Sequence, residues 1–147
     1  MITKKIRGFE ILGGYEERGI ILPKRKTAFS AGYDLCAAEE VLISGEKISL
    51  VPTGLKAFML PDEVLLIYIR SSLAVKHNLF LANGVGVIDA DYHEQIFVPL
   101  TSFGGDFEIK KGMRIAQGVF QKYLTADGDK IGVGQKRQGG FGSTGDF

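Results

Sequence analysis

A single cysteine, Cys36, stands among 147 residues, so no disulfide can form within the chain. No apolar run approaches bilayer length, since the longest stretch, near residues 64–69, falls far short of the ~20 residues a spanning helix needs. Neither sign of charge prevails. Eighteen basic against seventeen acidic residues leave a formal charge of +1, too little for the broad field that gathers nucleic acid polymers or anionic membranes. The N-terminal Met1-Ile2-Thr3-Lys4-Lys5 enters charged residues without an apolar signal core. The expectation is a cytoplasmic protein with no membrane and no stable nucleic acid partner, in which an anionic ligand has to be met by local chemistry.

Hydrophobic residues make up 45% of the chain, enough for one sizeable core, and the length is too short for two ordinary domains, so a single domain over 1–147 is expected. Period-two alternation at Lys47-Ile48-Ser49-Leu50 and Gln95-Ile96-Phe97-Val98 predicts strands, and Leu65-Leu66-Ile67-Tyr68-Ile69 reads as a strand buried on both faces. Turn signals recur at short intervals: Ser44-Gly45, Pro52-Thr53-Gly54, Pro61-Asp62, Asn83-Gly84, Gly104-Gly105, Lys111-Gly112 and Asp127-Gly128. Many short strands with regular turns predict an all-β sandwich or barrel. One short helix is expected, opening near Ser71-Ser72 with the serines as N-caps and running through Leu73-Ala74-Val75-Lys76. From about residue 132 to 147 apolar periodicity ends and glycines dominate, which predicts a mobile arm.

Three clusters carry candidate chemistry. The tail Arg137-Gln138-Gly139-Gly140-Phe141-Gly142-Ser143-Thr144-Gly145 joins glycines, whose amides can turn inward around phosphate oxygens, to two hydroxyls and a ring able to stack on a base. In Arg70-Ser71-Ser72-Leu73-Ala74 an arginine ends a strand where a helix start offers free amides to an anion. In Asn83-Gly84-Val85-Gly86-Val87-Ile88-Asp89-Ala90-Asp91-Tyr92, apolar residues lead into Asp89 at a strand end, where a carboxylate can orient and deprotonate a water. Taken alone, each also reads as something ordinary: a disordered glycine-rich terminus, a capped helix, an Asn/Asp-rich hairpin. The same holds for Ser30-Ala31-Gly32-Tyr33-Asp34-Leu35 and Gly112-Met113-Arg114-Ile115-Ala116-Gln117.

In this order the five segments, spanning Ala31 to Gly145, resemble the five motifs of trimeric dUTPases, of phage or Gram-positive bacterial type. The resemblance implies a jelly-roll-like barrel assembled as a homotrimer that hydrolyses dUTP to dUMP and pyrophosphate with Mg²⁺. Each site would take its first, second and fourth motifs from one subunit, the third from another and the arm from the last. It implies Asp89 as the general base for in-line attack on the α-phosphorus and Asp34 as the acid beside the metal's water shell. Asn83 and the backbone from Gly84 through Gly86 to Tyr92 would form the uracil pocket, with the Tyr92 ring under the deoxyribose. Arg70, Ser71, Ser72 and Gln117 would contact the phosphate chain. Phe141 would cap uracil, and the segment through Gly142, Ser143 and Thr144 would close over the γ-phosphate.

Some positions depart from the family pattern. His93-Glu94-Gln95 stands where Arg-Gly-Glu is common, and Met113 where aspartate is frequent. The arm's basic residue is expected five places before the phenylalanine, a place held by Lys136, with Arg137 one position later. A dCTP deaminase, which shares the fold and an Arg-Ser-Ser-Leu-Ala segment, is the alternative enzyme, although its third motif typically carries a glutamate. Zinc deamination is disfavoured by the lone cysteine. A regulatory binding protein is the alternative of another class, because some phage members of the family bind repressor proteins. Glu16-Glu17-Arg18 and Lys24-Arg25-Lys26 are the segments that would serve it, though such charge runs are usually solvated loops.

Overall fold

The computed structural model describes residues 3–129, 137, 139–142 and 144–146. Twelve strands and one helix follow one another: β1 (Gly8–Ile11), β2 (Lys24–Arg25), β3 (Tyr33–Cys36), β4 (Val41–Ile43), β5 (Ser49–Pro52), β6 (Leu55–Phe58), β7 (Glu63–Ile69), α1 (Ser71–His77), β8 (Leu79–Leu81), β9 (Gly86–Asp89), β10 (Phe97–Ser102), β11 (Phe107–Ile109) and β12 (Arg114–Lys122). The largest sheet has the order β2-β3-β12-β7-β9, a second has β5-β10-β8, and β1-β6 and β11-β4 form two-stranded ribbons. All pairings are antiparallel. Inward residues of most of these strands, among them the wholly buried Leu35, Ile43, Val51, Leu65, Val98, Leu100 and Ile115, meet in one core. The expected jelly-roll-like all-β fold with one short helix is the one found.

β7 is central, between β12 and β9, as its apolar run predicts. Only one of its faces is sealed, however. Leu65 and Ile67 are buried, whereas Leu66 and Tyr68 on the other face are partly exposed. β5 inverts the sense suggested by its composition, because Ser49 and Val51 point inward while Ile48 and Leu50 are 59% and 47% exposed. The register with β10 and β8 sets Leu50 opposite Pro99 and Phe80 opposite Thr101, so an apolar strip runs along the outer face of this sheet.

The helix forms where predicted, but the serines are not its caps. Arg70 holds the N-cap position with extended backbone (φ −76°, ψ 134°) and there is no side-chain cap hydrogen bond. Ser71 and Ser72 therefore lie inside the first turn. Asn78 ends the helix in a left-handed conformation (φ 56°), and Lys76 and His77 in the last turn face the negative end of the dipole.

Glu63 is 3% exposed at the start of β7. Arg7 grips both its oxygens, and the Leu60 amide donates to Oε2 at 3.1 Å. The Arg7 guanidinium holds this carboxyl below the usual glutamate range. Cys36 is buried at the end of β3, and burial, helped by the charge of Asp34, pushes its thiol up. Met113 packs its side chain against the core and its carbonyl accepts from the Ala37 amide at 2.9 Å, a structural role in keeping with an apolar residue there. The charge runs near the N-terminus have local work as well. Arg25 donates to the Ala28 carbonyl at 2.8 Å, Arg18 lies over the Tyr15 ring, and the Glu16 carboxylate accepts from the Gly14 amide.

Candidate active site

The third-motif segment builds a pocket from backbone rules. The Gly84 amide bonds to the Leu81 carbonyl and the Val85 amide to the Asn83 carbonyl, a turn in which Gly84 takes φ +72°. Gly86 then enters β9 against Ile67, where a Cβ would come within 3.0 Å of the Ile67 Cβ, so only glycine lets the strand sit this deep. β9 ends at Asp89, whose carbonyl accepts from the Tyr92 amide at 3.1 Å, and this turn folds the Tyr92 ring back under the pocket. Asn83, Gly86, Asp89, Tyr92 and Phe97 line a cavity of about 130 Å³, closed on one side by Arg137, Gly140 and Phe141. That is well under the ~300 Å³ at which ligand pockets usually begin, a size suited to a single ring rather than a whole nucleotide.

Tyr92 is 7% exposed and its hydroxyl donates to the Gln95 carbonyl at 2.6 Å. Burial, with Glu94 nearby, pushes its phenol above the ordinary tyrosine range, while Arg137 acts the other way.

A second polar group occupies another corner of the large sheet. Lys24, Asp34, Gln117 and Tyr68 stand directly opposite one another across β2, β3, β12 and β7, and therefore share one face. A bulge at Ile115 shifts the register of β12, which turns Arg114 onto the face of Gln117. Arg114 consequently reaches Asp34, Nη1 to Oδ2 3.1 Å, and Arg70 approaches the other oxygen at 3.8 Å. Arg70 also donates to the Arg114 carbonyl at 3.2 Å. Gln117 donates to the Ile69 carbonyl at 3.4 Å and packs over Gly32, where a Cβ would lie 2.4 Å from its oxygen. Ser71 and Ser72 begin the helix beside this group.

The two groups do not meet within one chain. Asp89 pairs with Val64 and the Asp34 row crosses β7 at Tyr68, four residues further on and on the same face. Four residues at ~3.3 Å and three strand steps at ~4.8 Å separate the two aspartates by roughly 20 Å.

Of the arm, Arg137, Gly140 and Phe141 rest against the chain's own hairpin. Arg137 grips Asp89 and its Nε lies 3.0 Å from Asp91 Oδ1. Gly140 lies flat on Tyr92, since a Cβ there would come within 2.7 Å of the ring. Phe141, 66% exposed, has its ring centre 6.4 Å from that of Phe97. Gly142 (φ +90°) and Thr144 are exposed beyond it. Lys136 and Ser143 lie outside the described residues, as does much of the segment expected to be mobile. The resemblance assigned arm and third motif to different subunits, whereas a single chain brings its arm to its own Asp89.

Among the described residues no three His, Cys, Asp or Glu side chains converge as a metal cage. A single carboxylate offers a looser arrangement. Mg²⁺ commonly keeps several waters and is held by substrate phosphates with one or two carboxylates; Asp34, one-fifth exposed with both oxygens facing guanidinium groups, is a carboxylate that could reach such an ion only through water.

Two residues escaped the sequence reading. Arg114 sits inside the fourth segment, yet its face depends on the bulge. Gln95 was placed on an alternating strand, but it is buried and bonds through both ends of its amide; a polar residue directly before apolar Ile96 was the available signal.

A family model described as dUTPase matches residues 18–145. The chain is 49% identical to the deoxyuridine 5'-triphosphate nucleotidohydrolase of Lactococcus lactis over 148 residues, covering 96% of this chain and 99% of that protein. The crystal structure of the dUTPase from Streptococcus mutans superposes with a TM-score of 0.77 at 44% identity, covering 83% of this chain and all of the other. A dUTPase from S. aureus phage phi11, described with a structural Mg(II) ion, shares the fold with a TM-score of 0.75 at 19% identity, over 87% of this chain and 97% of that one. With the ordered segments, the one-ring pocket and these matches together, the chain belongs to the dUTPase family.

Proposed function

We propose that the chain hydrolyses dUTP to dUMP and pyrophosphate, keeping uracil out of DNA and supplying dUMP, by attack of a water in line with the α-phosphorus. The observation that carries this reading is the one-ring pocket with a carboxylate at its rim and a buried tyrosine beneath it. Asn83 and the hairpin backbone read the edge of uracil in a space too tight for thymine's methyl. Tyr92 supports the sugar and leaves no place for a 2′-hydroxyl. Asp89, at 48% side-chain exposure, is the base that takes the proton of the attacking water.

The phosphate chain is met by Arg70, Ser71, Ser72 and Gln117, and the arm closes over base and phosphates with Phe141, Gly142, Ser143 and Thr144. The arm's cation in this reading is Arg137, since it already lies at the pocket. When bound with the phosphates, Mg²⁺ would supply charge neutralisation for the pyrophosphate leaving group. Asp34 would hold the ion through its waters, and Arg70 and Arg114 fix the direction of that carboxylate.

A homotrimer completes the site. A base must lie within hydrogen-bond reach of its water, directly or through one more, so an Asp34 group roughly 20 Å away on the sheet serves the same phosphorus only if it comes from a neighbouring subunit. The outward strip of Ile48, Leu50 and Phe80 suits burial between copies of the chain. The enzyme acts on a nucleotide of the cytoplasm, and no helix among the described residues is long and apolar enough to cross a membrane.

Pyrophosphate release from dUTP, dTTP, dCTP and UTP tests the reading. Release from dUTP alone is expected, and ammonia released from dCTP in its place would identify a deaminase.

A further inference from the structure

The Tyr92 hydroxyl is not anchored to its own turn but to the main chain of Gln95, three residues on. That carbonyl is itself held unusually firmly. Gln95 is 9% exposed, its Oε1 accepts from the Gly54 amide at 2.8 Å and its Nε2 donates to the Tyr15 hydroxyl at 3.2 Å. The next residue is pinned to the same place, with the Ile96 amide bonded to the Leu55 carbonyl at 2.8 Å and the Ile96 carbonyl accepting from Thr53 Oγ1 at 2.6 Å.

The receiving turn is closely packed. Gly54 takes φ +70°, and a Cβ there would meet Ile20 at 2.7 Å and Tyr15 at 2.8 Å. The β5–β6 turn, the loop carrying Tyr15 and the site hairpin are thus joined through one side-chain amide.

We propose that Gln95 is a positioning residue for sugar discrimination: by tying the 95–96 main chain to Gly54 and Tyr15, it fixes the height of the Tyr92 ring in the pocket. This rests on the reading of Tyr92 as the surface beneath the deoxyribose. With the amide removed, the buried Gly54 N–H loses its acceptor. The Gln95 carbonyl is then held only through its own peptide plane, by the Ile96 amide bond to Leu55, and with the side-chain tether gone it can tilt, carrying the Tyr92 ring with it. A displacement of about an ångström opens room for a 2′-hydroxyl, since such discrimination rests on close steric fit and is sensitive to small changes in the site. A residue needed only for folding would lower turnover of both nucleotides alike. A positioning residue alters their ratio.

The experiment compares wild type with Gln95→Ala, Gln95→Glu, Tyr15→Phe and Tyr92→Ala as full-length, assembled protein. Two quantities are measured: the ratio of kcat/KM for dUTP to that for UTP, and the Tyr92 resonance in protein labelled with ¹³Cζ-tyrosine. Gln95→Ala is expected to lower the ratio about tenfold, within the usual range for steric discrimination, and to move the Tyr92 resonance. Glutamate can accept from both the Gly54 N–H and the Tyr15 hydroxyl, so Gln95→Glu is expected to restore both quantities.

Tyr15→Phe removes one of the two anchors and is expected to lower the ratio less, in the same direction. It carries the test if Gln95→Ala fails to assemble. A ratio unmoved in Gln95→Ala and in Tyr15→Phe, while Tyr92→Ala lowers it, overturns the proposal and leaves the sugar reading standing. A ratio unmoved in Tyr92→Ala removes the sugar reading and with it the proposed task of Gln95. In that case a Tyr92 resonance that still moves in Gln95→Ala identifies which step failed.

Discussion

The guanidinium of Arg137 holds the carboxylate of Asp89 and reaches Asp91 at the same time, so one arm cation spans both acids of the hairpin. A carboxylate engaged in this way is a weaker base, so if Asp89 activates the water, the cation is expected to leave it for the phosphates when dUTP binds. Arg137→Ala should therefore weaken dUTP binding by about 10- to 100-fold, the scale of one lost charge-assisted hydrogen bond. Binding of deoxyuridine, which has no phosphate, should not weaken. Calorimetry on the two ligands checks this, and an equal loss for both would place Arg137 at the base instead.

Asp89→Asn keeps the shape of the side chain and removes its basicity. Turnover of dUTP should fall by about 10²- to 10⁴-fold while its dissociation constant stays nearly unchanged. Single-turnover kinetics alongside equilibrium binding separates the two, and turnover near that of wild type would assign the base elsewhere.

If the site is shared, two defective chains should rescue each other. One carries Asp89→Asn with an intact arm, the other an intact Asp89 and an end at Gly134. Co-expressed at equal levels, random trimers should hold complete sites at about a quarter of positions, from two independent choices of about one half. Activity that stays at the level of the separate mutants, with mixed trimers seen by native mass measurement, would mean that one chain supplies both parts, as it does in the contact of Arg137 with its own Asp89.

Glu63 links the fold to pH. Its carboxyl is held lower in the folded protein than in the unfolded chain, chiefly by the bond from Arg7. Its contribution to stability is thus complete above the unfolded glutamate value near ~4.3 and is lost as pH falls through the folded one. Arg7→Ala should move the acid-unfolding midpoint to higher pH and lower Tm at pH 7, leaving a buried carboxylate with only the Leu60 amide. An unchanged acid limb in circular dichroism would contradict this.

What the sequence made legible was chemistry carried by short local patterns. Asn83 to Tyr92 had to be a turn, a strand end and a turn because glycine spacing and the apolar pair before Asp89 admit little else. The β7 strand was plain from its length and its apolar content. Face assignments were much less so. β5 turns Ser49 inward and Leu50 outward, which alternation alone cannot decide when the outer face is apolar too. Arg114 joins Asp34 only because an unpaired residue at Ile115 reverses the sides of β12, and no local pattern marks that bulge. The helix cap fell on Arg70 because the strand before it runs in extended geometry up to the first turn, one residue earlier than the serines suggest. Gln95 was misread for a related reason, since its partners lie 41 and 80 positions away.

The thiol of Cys36 is buried two residues from Asp34, at the end of β3. Mostly buried and with its thiol pushed up, it should react faster with an alkylating reagent when β3 comes away from β12, so its labelling rate follows the opening of that edge. Because the chain has no other cysteine, the signal needs no engineering and no background correction. The same tube that is assayed for turnover can report, in real time, whether bound nucleotide keeps this part of the sheet shut.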